Sequence, residues 1–223
     1  FNTTAFKFKY IRVIHRKTLE IWGIFSQYKV FHKWRFIINI IGGPGIGKTT
    51  ISALVFSLLK IKREKIEYVQ EFAKNLVWRG DFESLNNQYL VSKLDFLQIF
   101  EEVSKSVDYI ITDGSLLHGL YYNRYNPDNT SNTCKTESKI LECYNQFINL
   151  NIFLKRNKDI EYQTFGRLQT KEEAEVIDNG ILEILDEFHI KYTVIDMDTD
   201  YQKTADEIVQ LFNNLKENIN NFK

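Results

Sequence analysis

The chain has 223 residues, of which 43% are hydrophobic and 14% aromatic, enough to bury one complete core. It carries 2 prolines and 10 glycines and shows neither a low-complexity stretch nor a repeat, which excludes linker-rich and solenoid architectures. Its net charge of zero conceals an asymmetry, since residues 1–35 hold eight Lys and Arg against one acid while the remainder holds 21 basic and 28 acidic side chains. We therefore expect a basic N-terminal extension over 1–35 and one domain over 36–223.

The extension is hard to interpret, because its apolar residues fit strand and helix periodicities about equally. Three interpretations stay open: a packed accessory hairpin or helix, a poorly ordered leader, and a basic arm that contacts nucleic acid or another partner. The net charge of the whole chain is no argument for nucleic-acid affinity.

The cellular setting follows from two further features. Cys134 and Cys143 have no histidine near them, which fits neither a zinc site nor a disulfide scaffold. No apolar run reaches the ~18–20 residues of a membrane span, and charges interrupt the apolar residues where a signal peptide needs a clean core. We expect a reduced, cytoplasmic protein without a membrane span.

Regular patterning begins at residue 36. A continuous apolar run over 36–41 predicts a strand buried on both faces, followed by a helix that begins within 48–52 and ends near 60–63. The alternation continues, and a capping box formed by Thr170 and Glu173 starts one of the later helices. Further strands are expected at 66–69, 107–112, 148–154 and 192–195, and further helices at 71–79, 85–103, 138–147, 170–188 and 201–216. This pattern predicts an α/β protein with the P-loop NTPase fold, a five-stranded parallel sheet with helices on both faces.

The segment over 42–49 fits the pattern G-x-x-x-x-G-K-[ST], and it lies between a predicted buried strand and a predicted helix, which is the context that supports a phosphate loop. Glycines let backbone N–H groups converge on phosphates, Lys48 reaches the β- and γ-phosphates of ATP, and the Thr49 hydroxyl binds Mg²⁺. The nucleotide is expected to contact Gly42, Gly43, Pro44, Gly45, Ile46, Gly47, Lys48, Thr49 and Thr50.

Two carboxylates are predicted at the same edge of the sheet, because the carboxyl ends of parallel strands meet there. Asp113 ends the third predicted strand and is expected to bind Mg²⁺ together with Thr49. Glu71 ends the second strand and could accept the proton of a substrate hydroxyl or bind a sugar hydroxyl.

Arg156 and Arg167 flank a polar loop over 155–169 that follows the fourth strand. Phosphoryl transfer needs cations over the γ-phosphate as charge develops. This loop is therefore predicted to close over ATP as a lid.

These motifs together resemble the NadR-like AAA-type P-loop kinases, a group with many phage members and with nicotinamide riboside kinase domains. The resemblance covers about 36–198, and it rests on the phosphate loop, on 69–74 with Trp78, on 111–117, and on 153–156 followed by 166–170. It implies that Lys48 and Thr49 bind ATP and Mg²⁺, that Glu71 and Asp113 are substrate or catalytic carboxylates, and that Arg156 and Arg167 belong to the lid. The layout also looks like that of deoxynucleoside and nucleoside-monophosphate kinases. Gly114 and Ser115 depart from the Asp-Ser-Pro that usually follows this strand in the group.

A kinase is favoured over a motor or switch, since a GTPase should show Asn-Lys-x-Asp and an AAA+ motor should carry a second acid where Gly114 stands. An ATPase or switch protein that couples hydrolysis to a conformational change stays open, as does a binding protein that has lost turnover. The acceptor is expected to be a nucleoside or nucleotide such as nicotinamide riboside, with a hydroxymethylated base in DNA as the alternative.

Overall fold

The computed structural model describes residues 36–104, 107–163 and 169–221. The predicted extension over 1–35 and Arg167 of the predicted lid lie outside the described residues.

Within the described residues, five parallel strands form one sheet in the order β2-β3-β1-β4-β5. They are β1 (Phe36–Ile41), β2 (Ile66–Gln70), β3 (Tyr109–Asp113), β4 (Ile148–Lys155) and β5 (Thr193–Asp196). The central strand β1 pairs with β3 on one side and β4 on the other, with Ile40 opposite Asp113 and Ile41 opposite Phe153. The chain places β2 and β3 on one side of β1 and then crosses to β4 and β5 on its other side. The crevice beside the carboxyl end of β1 is therefore the place where a ligand is expected.

The helices follow the strands along the chain. They are α1 (Lys48–Ile61), α2 (Phe72–Arg79), α3 (Phe82–Leu85), α4 (Gln88–Ser104), α5 (His118–Tyr125), α6 (Thr133–Tyr144), α7 (Lys171–Glu187) and α8 (Tyr201–Asn221). Thr170 and Glu173 form both bonds of the predicted capping box at the start of α7, which confirms that prediction.

One face of the sheet packs against α1 and α8. Alternate residues of β1 point to this face and meet apolar residues of both helices, because successive side chains of a strand alternate between faces. The fully buried members include Ile38, Ile40, Ile51, Val55, Leu59, Ile208 and Phe212.

The opposite face carries a buried polar network that spans three strands. Asn39 donates hydrogen bonds to the side-chain oxygens of Asn149 and Asn151, at 2.9 and 3.0 Å, and accepts one from the Thr112 hydroxyl at 3.2 Å. Asn151 in turn donates to the hydroxyl of Tyr144 on α6 at 2.7 Å. These bonds satisfy the buried amides and explain how an asparagine is accommodated within an otherwise apolar central strand.

Several predicted boundaries were wrong in detail. The helix expected over 85–103 is α4, which begins at Gln88, and the short helix α3 before it was not predicted. Helix α5 was missed because its buried face includes the polar residues His118 and Asn123. The helix α6 begins at Thr133, where Asn132 accepts a hydrogen bond from the backbone N–H of Lys135. Among the described helices, none is long and apolar enough to cross a membrane.

Candidate functional site

The segment between β1 and α1 forms a compact loop at the carboxyl edge of the sheet. Helix α1 begins at Lys48, directly after Gly47, whose backbone is left-handed with φ 99°, and no described side chain caps this helix end. The backbone N–H groups of the first helical turn therefore face outward, and the helix dipole adds a positive field there. Thr49 and Thr50 are exposed at the same helix end. This geometry suits an anion such as a phosphate.

Two lysines reach the loop from different helices. The Lys48 ammonium donates hydrogen bonds to the carbonyl oxygens of Gly42, at 2.8 Å, and Gly43, at 3.0 Å. Lys74 of α2 donates to the hydroxyl oxygen of Thr49 at 3.0 Å. The loop therefore carries two ammonium groups, of which the second comes from a residue that was not predicted as part of the site.

Asp113 lies at the end of β3, buried with 1% of its surface exposed. Its carboxylate accepts a hydrogen bond from the Tyr68 hydroxyl at 3.2 Å. Burial, and then the charge of Asp113, raises the pKa of Tyr68 far above its ordinary value, so this hydroxyl stays protonated and keeps donating.

Glu71 follows β2 and lies against the turn after Asp113. A Cβ atom at position 114 would stand 3.4 Å from the Glu71 side chain, and Gly114 has φ 95°, a conformation that favours glycine. A Cβ atom at 3.4 Å would make an ordinary van der Waals contact, so the left-handed φ of Gly114 is the physical reason for the departure from the family pattern.

A second carboxylate, Asp95 of α4, lies beside Glu71. Asp95 accepts a hydrogen bond from the backbone N–H of Phe72 at 2.8 Å and so holds the first residue of α2. Burial, together with the nearby charge of Glu71, raises the pKa of Asp95 to about 7, although the bond from Phe72 opposes this shift. Asp95 was not predicted, and its contact with α2 fixes the position of Glu71.

Arg156 contacts the backbone of the phosphate loop. Its guanidinium pairs with the carboxylate of Asp178 on α7 and donates to the carbonyl oxygen of Pro44 at 2.6 Å. The other oxygen of Asp178 accepts the backbone N–H of Gly43. Burial raises the pKa of Asp178, while Arg156 and the Gly43 amide oppose that shift. Arg156 and Asp178 therefore brace the loop through its backbone, and the lid role of Arg156 stays a prediction.

His118, the first residue of α5, connects the phosphate loop to the turn after β3. Its Nε2 lies 3.2 Å from the nitrogen and 3.1 Å from the oxygen of Gly42, and its Nδ1 lies 3.0 Å from the nitrogen and 3.2 Å from the oxygen of Ser115. Either neutral tautomer thus makes one hydrogen bond at each end. Burial and the charge of Lys48 lower the pKa of His118 to about 3, which keeps the ring neutral.

A shallow pocket opens beside Gly45, between the loop, the segment after β4 and α7. Apolar side chains on its wall include Ile46, Ile160, Tyr162 and Met197. The Tyr162 ring lies so close to Gly45 that a Cβ atom there would stand 2.2 Å from it. The guanidinium of Arg156 lies 5.9 Å from the centre of the same ring. An aromatic and apolar wall beside a phosphate loop suits a flat, partly apolar group.

Four residues of this site were missed in the sequence: Lys74, Asp95, His118 and Asp178. Asp178 left a signal, since it interrupts the apolar stripe of α7 that Ala174, Ile177 and Ile181 form, and an acid on such a stripe needs a buried partner. His118 left no such signal, because its partner Gly42 lies 76 positions away along the chain and no local pattern indicates such a contact.

The chain was also compared with known proteins. A family model described as AAA domain matches residues 37–203, which is most of the chain. Two similar solved structures are of deoxyadenosine kinase from M. mycoides, one with products dCMP and a flexible dCDP bound and the other with bound dCTP. They have TM-scores of 0.53 and 0.51 and identities of 18% and 16%, and each comparison covers 80% of this chain and 99% of the other. The comparison with curated proteins gives no significant match.

The structural likeness confirms the predicted fold, a five-stranded parallel sheet of the P-loop NTPase type with its phosphate loop after the central strand. The matched family model spans the phosphate loop, both strand-end carboxylates and the helices that position them. The chain belongs to the AAA-domain family of P-loop NTPases.

Proposed function

We propose that this protein is an ATP-dependent kinase that transfers the γ-phosphate of ATP to a hydroxyl of a nucleoside or nucleotide-type acceptor. The observation that carries this proposal is the meeting of a phosphate loop and a candidate base at one edge of the sheet, where Glu71 lies against Gly114, directly after Asp113. A carboxylate at this place can accept the proton of an acceptor hydroxyl. The fold likeness to a deoxyadenosine kinase supports the same choice.

The phosphate end of ATP is assigned to the loop and the start of α1. Backbone N–H groups of the loop bind the phosphate oxygens, and Lys48 exchanges the carbonyl oxygens of Gly42 and Gly43 for the β- and γ-phosphates. Arg156 and Asp178 hold the loop in position through hydrogen bonds with the Pro44 carbonyl oxygen and the Gly43 amide. The pocket beside Gly45, whose wall combines apolar and charged side chains, is the candidate place for the base of ATP.

Thr49 and Asp113 supply hydroxyl and carboxylate oxygens, the hard donors that Mg²⁺ prefers. No cluster of three His, Cys, Asp or Glu side chains that could hold a metal ion occurs in the described residues, and Mg²⁺ usually takes only one or two protein ligands plus phosphates and water. When bound, the ion neutralises charge on the phosphate oxygens. The donor set of the chain therefore fits Mg²⁺.

Glu71 is the candidate base. In the proposed reaction the acceptor oxygen attacks the γ-phosphorus, the bond from that phosphorus to the β,γ-bridging oxygen breaks, and ADP leaves with that oxygen. The hydroxyl proton passes to the carboxylate of Glu71. Asp95, which holds the start of α2 through Phe72, keeps this carboxylate in place. Arg167 stays a predicted lid residue.

The experiment is a screen of nucleosides and nucleotides with ATP labelled in the γ-phosphate. The wild-type protein is expected to label at least one acceptor and to consume little ATP without one. Lys48→Ala is expected to abolish both labelling and the thermal stabilisation by ATP and Mg²⁺, which is ~2.7 kcal/mol at a hundredfold excess over the dissociation constant. Asp113→Asn is expected to retain ATP binding without Mg²⁺ and to lose turnover.

Rapid ATP hydrolysis without any acceptor would overturn the kinase and favour the ATPase or switch protein. Labelling of hydroxymethylated DNA but of no free nucleoside would instead assign the acceptor to DNA and direct attention to the basic segment over 1–35.

A further inference from the structure

Lys74 brings a second ammonium group to the phosphate loop. Its Nζ lies 3.0 Å from the hydroxyl oxygen of Thr49, although the two residues are 25 positions apart. Lys74 is the third residue of α2, and α2 begins directly after Glu71. One turn of one helix therefore delivers both the candidate base and a cation to the edge of the loop.

Lys74 is a candidate to contact the transferring phosphate, because contacts within the protein already hold the guanidinium of Arg156. Phosphoryl transfer is accelerated by positive groups that contact the transferring oxygens. The guanidinium of Arg156 pairs with the carboxylate of Asp178 and donates a hydrogen bond to the Pro44 carbonyl oxygen. Lys74 instead lies next to the hydroxyl of Thr49, which is an exposed residue.

The contact between Lys74 and Thr49 also indicates what happens when ATP binds. In the proposed function, on which this inference rests, the Thr49 oxygen binds Mg²⁺, and a divalent cation repels an ammonium group at the same oxygen. The lysine side chain is long and flexible enough to turn away. The oxygens of the terminal phosphate, which the proposed function places at the same loop, are then acceptors for the ammonium group.

We propose that Lys74 is a phosphate-binding residue that leaves Thr49 and donates a hydrogen bond to a non-bridging oxygen of the γ-phosphoryl group when ATP and Mg²⁺ bind. The lysine keeps its proton throughout. Its charge stabilises the terminal phosphate and the charge that develops on it during transfer. Lys74 thereby raises the affinity of the protein for nucleotides that carry a γ-phosphate over its affinity for those that do not.

The test compares two nucleotides in the presence of Mg²⁺, namely ADP and the non-hydrolysable β,γ-imido analogue of ATP, by isothermal titration calorimetry on the full chain. Lys74→Met is expected to bind ADP within about twofold of wild type and the imido analogue about tenfold more weakly, as the loss of one charge-assisted hydrogen bond predicts. Lys74→Arg is expected to recover most of the difference. Lys62→Met, at the far end of α1, is the matched control and should bind both nucleotides like wild type.

With the acceptor found in the screen, Lys74→Met is expected to lower kcat about a hundredfold. Urea unfolding of each variant checks that the fold is intact, and Lys74→Gln replaces the methionine variant if that one is unfolded. Equal weakening of both nucleotides, or unchanged binding of both, would overturn the proposed contact with the γ-phosphate while leaving the kinase proposal standing. A wild-type protein that binds neither nucleotide would overturn both.

Discussion

Replacement of Asp178 by alanine tests whether Arg156 braces the phosphate loop. Asp178 is 8% exposed, and one of its oxygens accepts the Gly43 amide while the other pairs with the Arg156 guanidinium. The variant therefore leaves a buried charge without its partner, since the Arg156 side chain is 16% exposed, and it also leaves a buried backbone N–H unpaired. Breaking a buried ion pair costs about 3–5 kcal/mol and orphaning an amide about 1–3 kcal/mol, and the two losses overlap. We expect a loss of about 4 kcal/mol in the free energy of unfolding.

The assay is urea unfolding of the wild type, Asp178→Ala, Arg156→Met and the double variant Arg156→Met with Asp178→Leu. The double variant is expected to be more stable than Asp178→Ala, because an apolar pair of similar volume replaces a buried ion pair at little cost. Affinity for ADP with Mg²⁺ should fall in Asp178→Ala, since the Gly43 amide loses the group that orients it.

The opposite pattern would refute the reasoning. If Arg156→Met unfolds like wild type and binds ADP like wild type but loses kcat, the guanidinium acts on the transition state. Arg156 would then be the lid residue that the sequence predicts, and the pairing with Asp178 would belong only to the protein without nucleotide.

Two further predictions concern pH and have opposite signs. The pKa of Asp95 rises from 3.8 to about 7 on folding, so the wild type should lose stability as pH rises from about 4 to 7. Asp95→Asn cannot ionise, so its free energy of unfolding, measured in urea, should rise relative to that of the wild type by about 2–4 kcal/mol over this range. Parallel pH curves would contradict this. The pKa of His118 falls from 6.5 to about 3, so unfolding takes up a proton and wild type should lose up to about 1.4 kcal/mol per pH unit below pH 6.5. His118→Phe should lack that pH dependence. At pH 8 it should be less stable than the wild type by about 2 kcal/mol, since Gly42 and Ser115 lose their hydrogen bonds to the ring. Equal stability of the two proteins at pH 8 would show that these hydrogen bonds do not hold the site together.

The sequence by itself determined those features that depend on neighbours along the chain. The apolar run of β1, the phosphate loop after it and the capping box at Thr170 each follow from residues within a few positions of one another. Asp113 and Glu71 could be assigned to the same sheet edge because parallel strands place their carboxyl ends together, whatever the order of the strands. Helix α5 escaped prediction because its buried face mixes Leu120 and Tyr121 with the polar residues His118 and Asn123, which gives a weak apolar period.

Only the tertiary structure decided which side chains meet at that edge. The order β2-β3-β1-β4-β5 places β4 beside β1. Arg156, directly after β4, therefore contacts the phosphate loop and pairs with Asp178, whereas the sequence predicts a lid over the loop. The same packing brings Lys74 to Thr49 and His118 to Gly42 across 25 and 76 positions. Local patterns predict elements because a helix or strand is stabilised by nearby residues, whereas contacts between elements depend on how the whole sheet is layered, which no short segment specifies.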